Sequence, residues 1–192
     1  MLETANYDKT FEQQTFTEQE LAGLEFDGCT FINCSLANCN LSETVFLDCD
    51  FKQCNLILVK VLDTGLKDVR FKHCKLMGFD FSQCNNFLFQ VRFERCQLDY
   101  ALFSQKKMKQ THFIDCSLIQ ADFSETQLNE AVFDNCQLSE ANFFRTNLEK
   151  ADFRTAQNYT IDPAANRVKK ARFSVIGLPG LLSQFDLRIE GF

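Results

Sequence analysis

The chain has 192 residues, 22 of them phenylalanine and none tryptophan, and 26 acidic against 20 basic side chains give a net charge of −6. That length permits one domain with a sizeable core, but seven glycines and two prolines are too few for a conventional β-sandwich with many tight turns. The negative charge argues against direct nucleic-acid binding. The polar stretch Met1 to Lys9 lacks the apolar run of a signal peptide or membrane span, so a cytoplasmic protein is expected.

After a lead-in over residues 1–15, large apolar residues recur every five positions. Phe26, Phe31, Leu36, Leu41, Phe46, Phe51, Leu56, Val61, Leu66, Phe71, Leu76 and Phe81 form a first run. Phe93, Leu98, Phe103, Met108, Phe113, Leu118, Phe123, Leu128, Phe133, Leu138, Phe143, Leu148 and Phe153 form a second. Two places before these centres stand small residues, mostly Cys, Thr or Ala. A period of five fits neither a helix nor a flat strand, so the chain must turn every five residues. Each centre and the residue two before it then point inward, and the other three positions face water. Recurrence of Cys96, Cys116 and Cys136 every twenty residues predicts four sides per coil, with Phe above Phe and Leu above Leu. Residues 16–157 then make a solenoid of roughly seven coils, ~34 Å long, with a filled interior. Its predicted core includes Phe93, Phe103, Phe113, Phe123, Phe133, Phe143 and Phe153 with Cys96, Cys116 and Cys136.

The ten cysteines read as buried small hydrophobes at the inward position, where Ala and Thr also occur. Their spacing is not that of a zinc site, and no metal, other cofactor or disulfide is expected. An enzyme is also not expected: His73 and His112 fall at distant outward positions, carboxylates are scattered, and no phosphate-binding glycine loop occurs.

Between Phe81 and Phe93 the spacing is twelve where ten is due, which places a two-residue jog near residues 82–92. Asn86 stands where a large centre is expected, and Phe79 occupies a small-residue position. Two readings stand side by side: a bulge with Phe87 or Phe89 capping the gap, or an aromatic protrusion where a partner docks. Residues 158–192 depart from the grid. Leu178 to Phe185 reads as a short helix begun by Pro179, followed by a strand-like Asp186 to Ile189. Such a segment covers the open coil end. Leu178, Leu181, Leu182, Phe185, Leu187 and Ile189 supply more apolar surface than one cap needs, which predicts a homodimer through this end.

Ala121-Asp122-Phe123-Ser124-Glu125, Ala141-Asn142-Phe143-Phe144-Arg145 and Ala151-Asp152-Phe153-Arg154-Thr155 resemble the A(D/N)LXX motif of pentapeptide-repeat proteins. The resemblance implies an all-β solenoid, a right-handed quadrilateral β-helix. The NYxID, ARFS and LLxxFDLxI stretches of the tail are similar to the Qnr, MfpA and albicidin-immunity type. By that resemblance the chain is a DNA-mimic-like binding protein that engages DNA gyrase or topoisomerase IV and protects it from quinolones or other poisons. The alternative is an interaction scaffold with an unrelated protein partner. The longer loops of several Qnr proteins are missing here.

Charge along the chain falls into bands: net −9 over residues 1–51, +6 over 52–109, −6 over 110–152 and +3 over 153–192. Lys106, Lys107 and Lys109 read as interrupting the acidic bands, which are either solvated surface or the mimetic element. Partner-binding candidates are Asn85, Asn86, Phe87 and Phe89 on the jog, and Asp122, Glu125, Asp134 and Glu140 in the third band.

Overall fold

The computed structural model describes residues 2–188 and 190. Short parallel strands stack into a four-faced solenoid. Ala5–Tyr7, Glu25–Asp27, Val45–Leu47 and Gly65–Lys67 form the sheet on face 1. Face 2 carries nine strands, from Thr10–Glu12 to Arg172–Phe173, and hence eight coil spacings. Faces 3 and 4 are held by single parallel bridges such as Asn55↔Lys75 and Asp122↔Asn142. Partners lie 20 residues apart, as in Phe31↔Phe51, except across the jog, where Phe71 pairs with Phe93.

The five-residue period follows from the corners. Two places after most centres the backbone enters the left-handed region, as at Asn38 (φ 62°), Gln105 (φ 61°) and Glu140 (φ 58°). That conformation disfavours most side chains and is best tolerated by Asn, Asp and Gly. Many corner N–H groups donate to the next coil: Asn38 to the Ile57 carbonyl at 3.1 Å, and Gln105 to that of Ser124 at 3.0 Å.

Inside, most Phe centres form two long columns, and Phe26 stacks on Phe46 on face 1 at 5.2 Å. Rings on face 2 stack at 4.6–5.5 Å from Phe11 to Phe173. On face 4, Phe81, Phe103, Phe123 and Phe143 stack at 4.6–5.1 Å. The columns meet edge to face, Phe113 lying 5.7 Å from Phe123 at 84°, the arrangement that aromatic quadrupoles favour. Every predicted core residue is buried. All ten thiols are buried as well, and several reach a carbonyl of the preceding coil, as Cys54 Sγ does that of Phe31 at 3.3 Å. Burial pushes the Cys49 and Cys84 thiols up to about 12.

The coils extend beyond both expected ends. Asn6 takes a centre position in the first coil and is fully buried, because its amide donates to the Glu3 carbonyl at 2.8 Å and approaches that of Glu25. A polar side chain with partners replaces the large apolar one that the spacing seeks, so the expected lead-in is already a coil. At the other end Asn158 is turned out on a corner (φ 56°), while Tyr159 packs against Phe153 and Phe173. Register then resumes, with Asn147↔Arg167 and Phe153↔Phe173.

Pro179–Leu182 is a single helical turn with proline at its start, continued by a 3-10 turn over Ser183–Phe185. It rests on Tyr159, and Ile161 donates to the Gly180 carbonyl at 3.0 Å. The expected strand after it is not formed: Asp186 turns into the left-handed region (φ 47°), and no strand covers residues 186–188. Ile189 lies outside the described residues. No described helix is long and apolar enough to cross a membrane.

Candidate partner-binding surface

Stacking sorts the charges by face rather than by position along the chain. On face 4 and its two corners lie Glu18, Glu20, Glu43, Asp63, Asp80, Asp122, Glu125 and Glu140, against Lys60 and Arg145. Lys60 is taken up by Glu18 at 2.8 Å, and Arg145 lies over the Phe144 ring. These ten side chains sum to −6, and Asp162 continues the face beside Glu140 and Asn142. Face 2 is mixed: Arg70 is held by Asp48, Asp50 and Asp68, and Lys72 by Glu94. The linear bands are therefore replaced by an acidic face that crosses the nominally basic band at Asp63 and Asp80.

Among the acidic candidates, Asp122, Glu125 and Glu140 share face 4. Asp122 accepts from Asn142 at 2.9 Å and Glu140 from Gln120 at 2.6 Å, both from adjacent coils. Asp134 does not join them. It lies on face 2, where it accepts from the Thr155 hydroxyl at 2.7 Å.

The jog emerges on face 1, beside the corner that carries Asp63. Asn85 donates to the Asp63 carboxylate at 2.6 Å, and its own carbonyl oxygen accepts from the Phe87 N–H at 2.8 Å. Phe87 is exposed, with Lys67 over its ring at 5.3 Å. Phe89 is the residue that plugs the gap, half-buried and edge-on to Phe81 at 6.4 Å.

Lys106 changes the expected picture most. Instead of interrupting a surface band, it is buried beneath the jog. Its Nζ donates to the Cys84 carbonyl and, at 2.9 Å, to Asn86 Oδ1, and lies 5.0 Å from the Phe89 ring centre. Desolvation lowers its pKa, partly opposed by Cys84 and Asp80. The signal was present in the sequence: Lys106 stands two places before Met108, at an inward small-residue position. Its long apolar stem fills the volume left empty by Asn86.

At the C-terminal end Leu178, Phe185 and Leu187 are exposed, as are Val175 and Ile176, which the sequence reading did not include. Leu181 and Leu182 are half-buried, Leu181 against the core. The Tyr159 hydroxyl is buried without a hydrogen-bond partner. Among the described residues no three His, Cys, Asp or Glu side chains are placed to hold a metal ion.

The family model described as pentapeptide repeat region matches residues 24–103 and 106–174. The chain belongs to the pentapeptide-repeat family. No curated protein sequence matches it. Among solved structures it is similar to full-length QnrB1, described as a plasmid-mediated fluoroquinolone resistance protein, at 16% identity and a TM-score of 0.50. That match covers 95% of this chain and 100% of the other. It is also similar to HetL from a Nostoc cyanobacterium, described as involved in heterocyst differentiation regulation. There the identity is 15% and the TM-score 0.37, over 88% of this chain and 86% of that one. At 16% identity the likeness to QnrB1 shows the fold alone.

Proposed function

We propose that this pentapeptide-repeat protein is a non-enzymatic, cytoplasmic binding protein that engages a type II topoisomerase, DNA gyrase or topoisomerase IV, and modulates its response to quinolones or similar poisons. The acidic face carries the reading. Its carboxylates run along six coil spacings, ~29 Å, on a rigid scaffold, a shape and sign that complement a groove built for duplex DNA. A net −6 over that length is about one charge per 5 Å, well below the one per ~1.7 Å of duplex DNA. Resemblance to DNA is therefore partial, and contacts beyond charge must contribute to affinity. The exposed apolar residues at the C-terminal end support a homodimer, which would present two acidic faces on one elongated body.

A gyrase supercoiling assay with and without a fluoroquinolone tests the reading. The protein is expected to alter supercoiling or relieve drug inhibition. Asp122→Lys with Glu125→Lys on face 4 should abolish the effect, whereas Asp134→Lys on face 2 should leave it. No effect at protein well above enzyme concentration would remove the topoisomerase and leave a scaffold with another partner.

A further inference from the structure

The corners of this solenoid are its least permissive positions. A side chain there sits at positive φ and projects into water, so Asn, Asp, Gln, Glu or Gly is the natural occupant. Leu58 (φ 58°) and Tyr100 (φ 62°) break that rule on one and the same corner, between faces 3 and 4. They are 73% and 52% exposed and add little to the core. Between them in the stack lies Gly78, also at positive φ, where an added Cβ would meet nothing within 4 Å. Leu58, Gly78 and Tyr100 occupy equivalent places in three successive coils, since Leu76 follows Leu56 and Leu98 follows Leu76 in the ladder. Two coil spacings put their backbones ~10 Å apart.

The result is a notch with an aliphatic wall, an aromatic wall and a bare glycine floor. Met77 on face 3 and Leu102 on face 4 add exposed apolar surface at its edges, and Lys60, paired with Glu18, stands beside Leu58 on the face 4 side. A gap of ~10 Å between backbones, with a side chain at each end and none in the middle, is the width that one inserted ring or branched aliphatic group fills. Just beyond it lie the carboxylates of Asp63, Asp80 and Asp122 on the acidic face.

We propose that this notch receives one large apolar side chain, aromatic or aliphatic, from a partner protein segment that is otherwise rich in lysine and arginine. The proposal rests on the reading above only for the cationic character of the partner. Charge complementarity to face 4 draws the segment in, and the notch sets its register along the rod. Long-range attraction between exposed carboxylates and cationic side chains is diffuse, so it draws a segment to the face without holding it at one position. A single apolar anchor in a single notch holds it there.

The chain contains no tryptophan, so an indole supplied in a peptide reports its own burial. The test titrates full-length protein into two synthetic twelve-residue peptides of alternating lysine and serine, identical except for a central Trp or a central Ala carrying a distal fluorophore. The Trp peptide is expected to bind at least ten-fold more tightly, with a blue shift of indole emission. Gly78→Asn, which fills the notch with a residue that other corners already hold at Asn33 and Asn38 (φ 52° and 62°), and Tyr100→Asn should each bring it down to the affinity of the Ala peptide. Both substitutions suit the backbone, and unchanged melting temperatures confirm folded variants. Equal affinity for the two peptides, binding of neither, or an undiminished Trp advantage in both variants would each overturn the notch. None of these outcomes depends on gyrase, so the topoisomerase reading stands or falls separately in the supercoiling assay.

Discussion

Lys106 Nζ and Asn86 Oδ1 lie 2.9 Å apart, which ties the irregular segment of one coil to the interior of the next. The jog is thus a held structure, with Phe87 presented to solvent and Phe89 drawn inward by the same amine. In Lys106→Met the apolar stem is kept and the donor lost. Amide exchange over residues 85–90 should then accelerate at least ten-fold, with the coils on either side unchanged; equal protection in both proteins would show that the amine does not hold the jog.

The same lysine makes a pH prediction. Its folded pKa is lowered by burial, so between that value and the ~10.4 of an unfolded lysine the unfolded chain binds more protons, and this group's contribution to stability rises with pH. The gap in unfolding free energy between the native protein and Lys106→Met should therefore shift in favour of the native protein as pH rises toward 10. Parallel curves in denaturant titrations at several pH values would contradict it.

The thiols act in the opposite sense. Cys49 and Cys84 are pushed up to about 12 by burial, whereas an unfolded thiol ionises near ~8.5. Their stabilising contribution is complete below pH ~8.5 and is lost as pH rises toward 12. Cys49→Ala, in a position where alanine occurs elsewhere, should flatten that decline. Iodoacetamide at pH 8 should modify few or none of the ten thiols until the chain is denatured, and rapid labelling of the native protein would place thiols at the surface.

Phe123 stacks 4.8 Å from Phe103 and 5.1 Å from Phe143. Phe123→Ala should lower stability by ~3–5 kcal/mol, read as a shift in the denaturant midpoint. A near-neutral result would mean that the column is not close-packed.

The C-terminal turn is positioned by glycine. A Cβ at Gly177 would overlap the Tyr159 hydroxyl, so Gly177→Ala should displace the turn. If the proposed dimer forms through this end, Gly177→Ala and the double variant Leu182→Glu with Phe185→Glu should both halve the mass measured by light scattering while the rod stays folded. An unchanged mass would place any association elsewhere.

Much of this was legible in the chain because five-residue spacing is a local property. Phe93 to Phe153, the cysteines and Pro179 all lie where spacing and turn chemistry put them. The misreadings came where a polar residue did apolar work. Asn6 is buried because the Glu3 carbonyl, three residues away, and that of Glu25 in the next coil accept from its amide, and Lys106 is buried because the jog supplies acceptors 20 and 22 residues away. Asp134 stands near Asp122 and Glu125 along the chain, but the coil carries it across face 1 to face 2, away from theirs.

By itself, then, the order of residues determined the repeat, the inward columns and the four-sided coil, since each depends on contacts that recur at fixed separation. Only the tertiary structure decided which charges share a face, which lysine turns inward and which corner holds a notch. Those outcomes depend on how coils align across the jog, where the two extra residues are absorbed on face 1 and Phe71 is brought to Phe93. That alignment is a property of packed layers, and no window of the chain contains it.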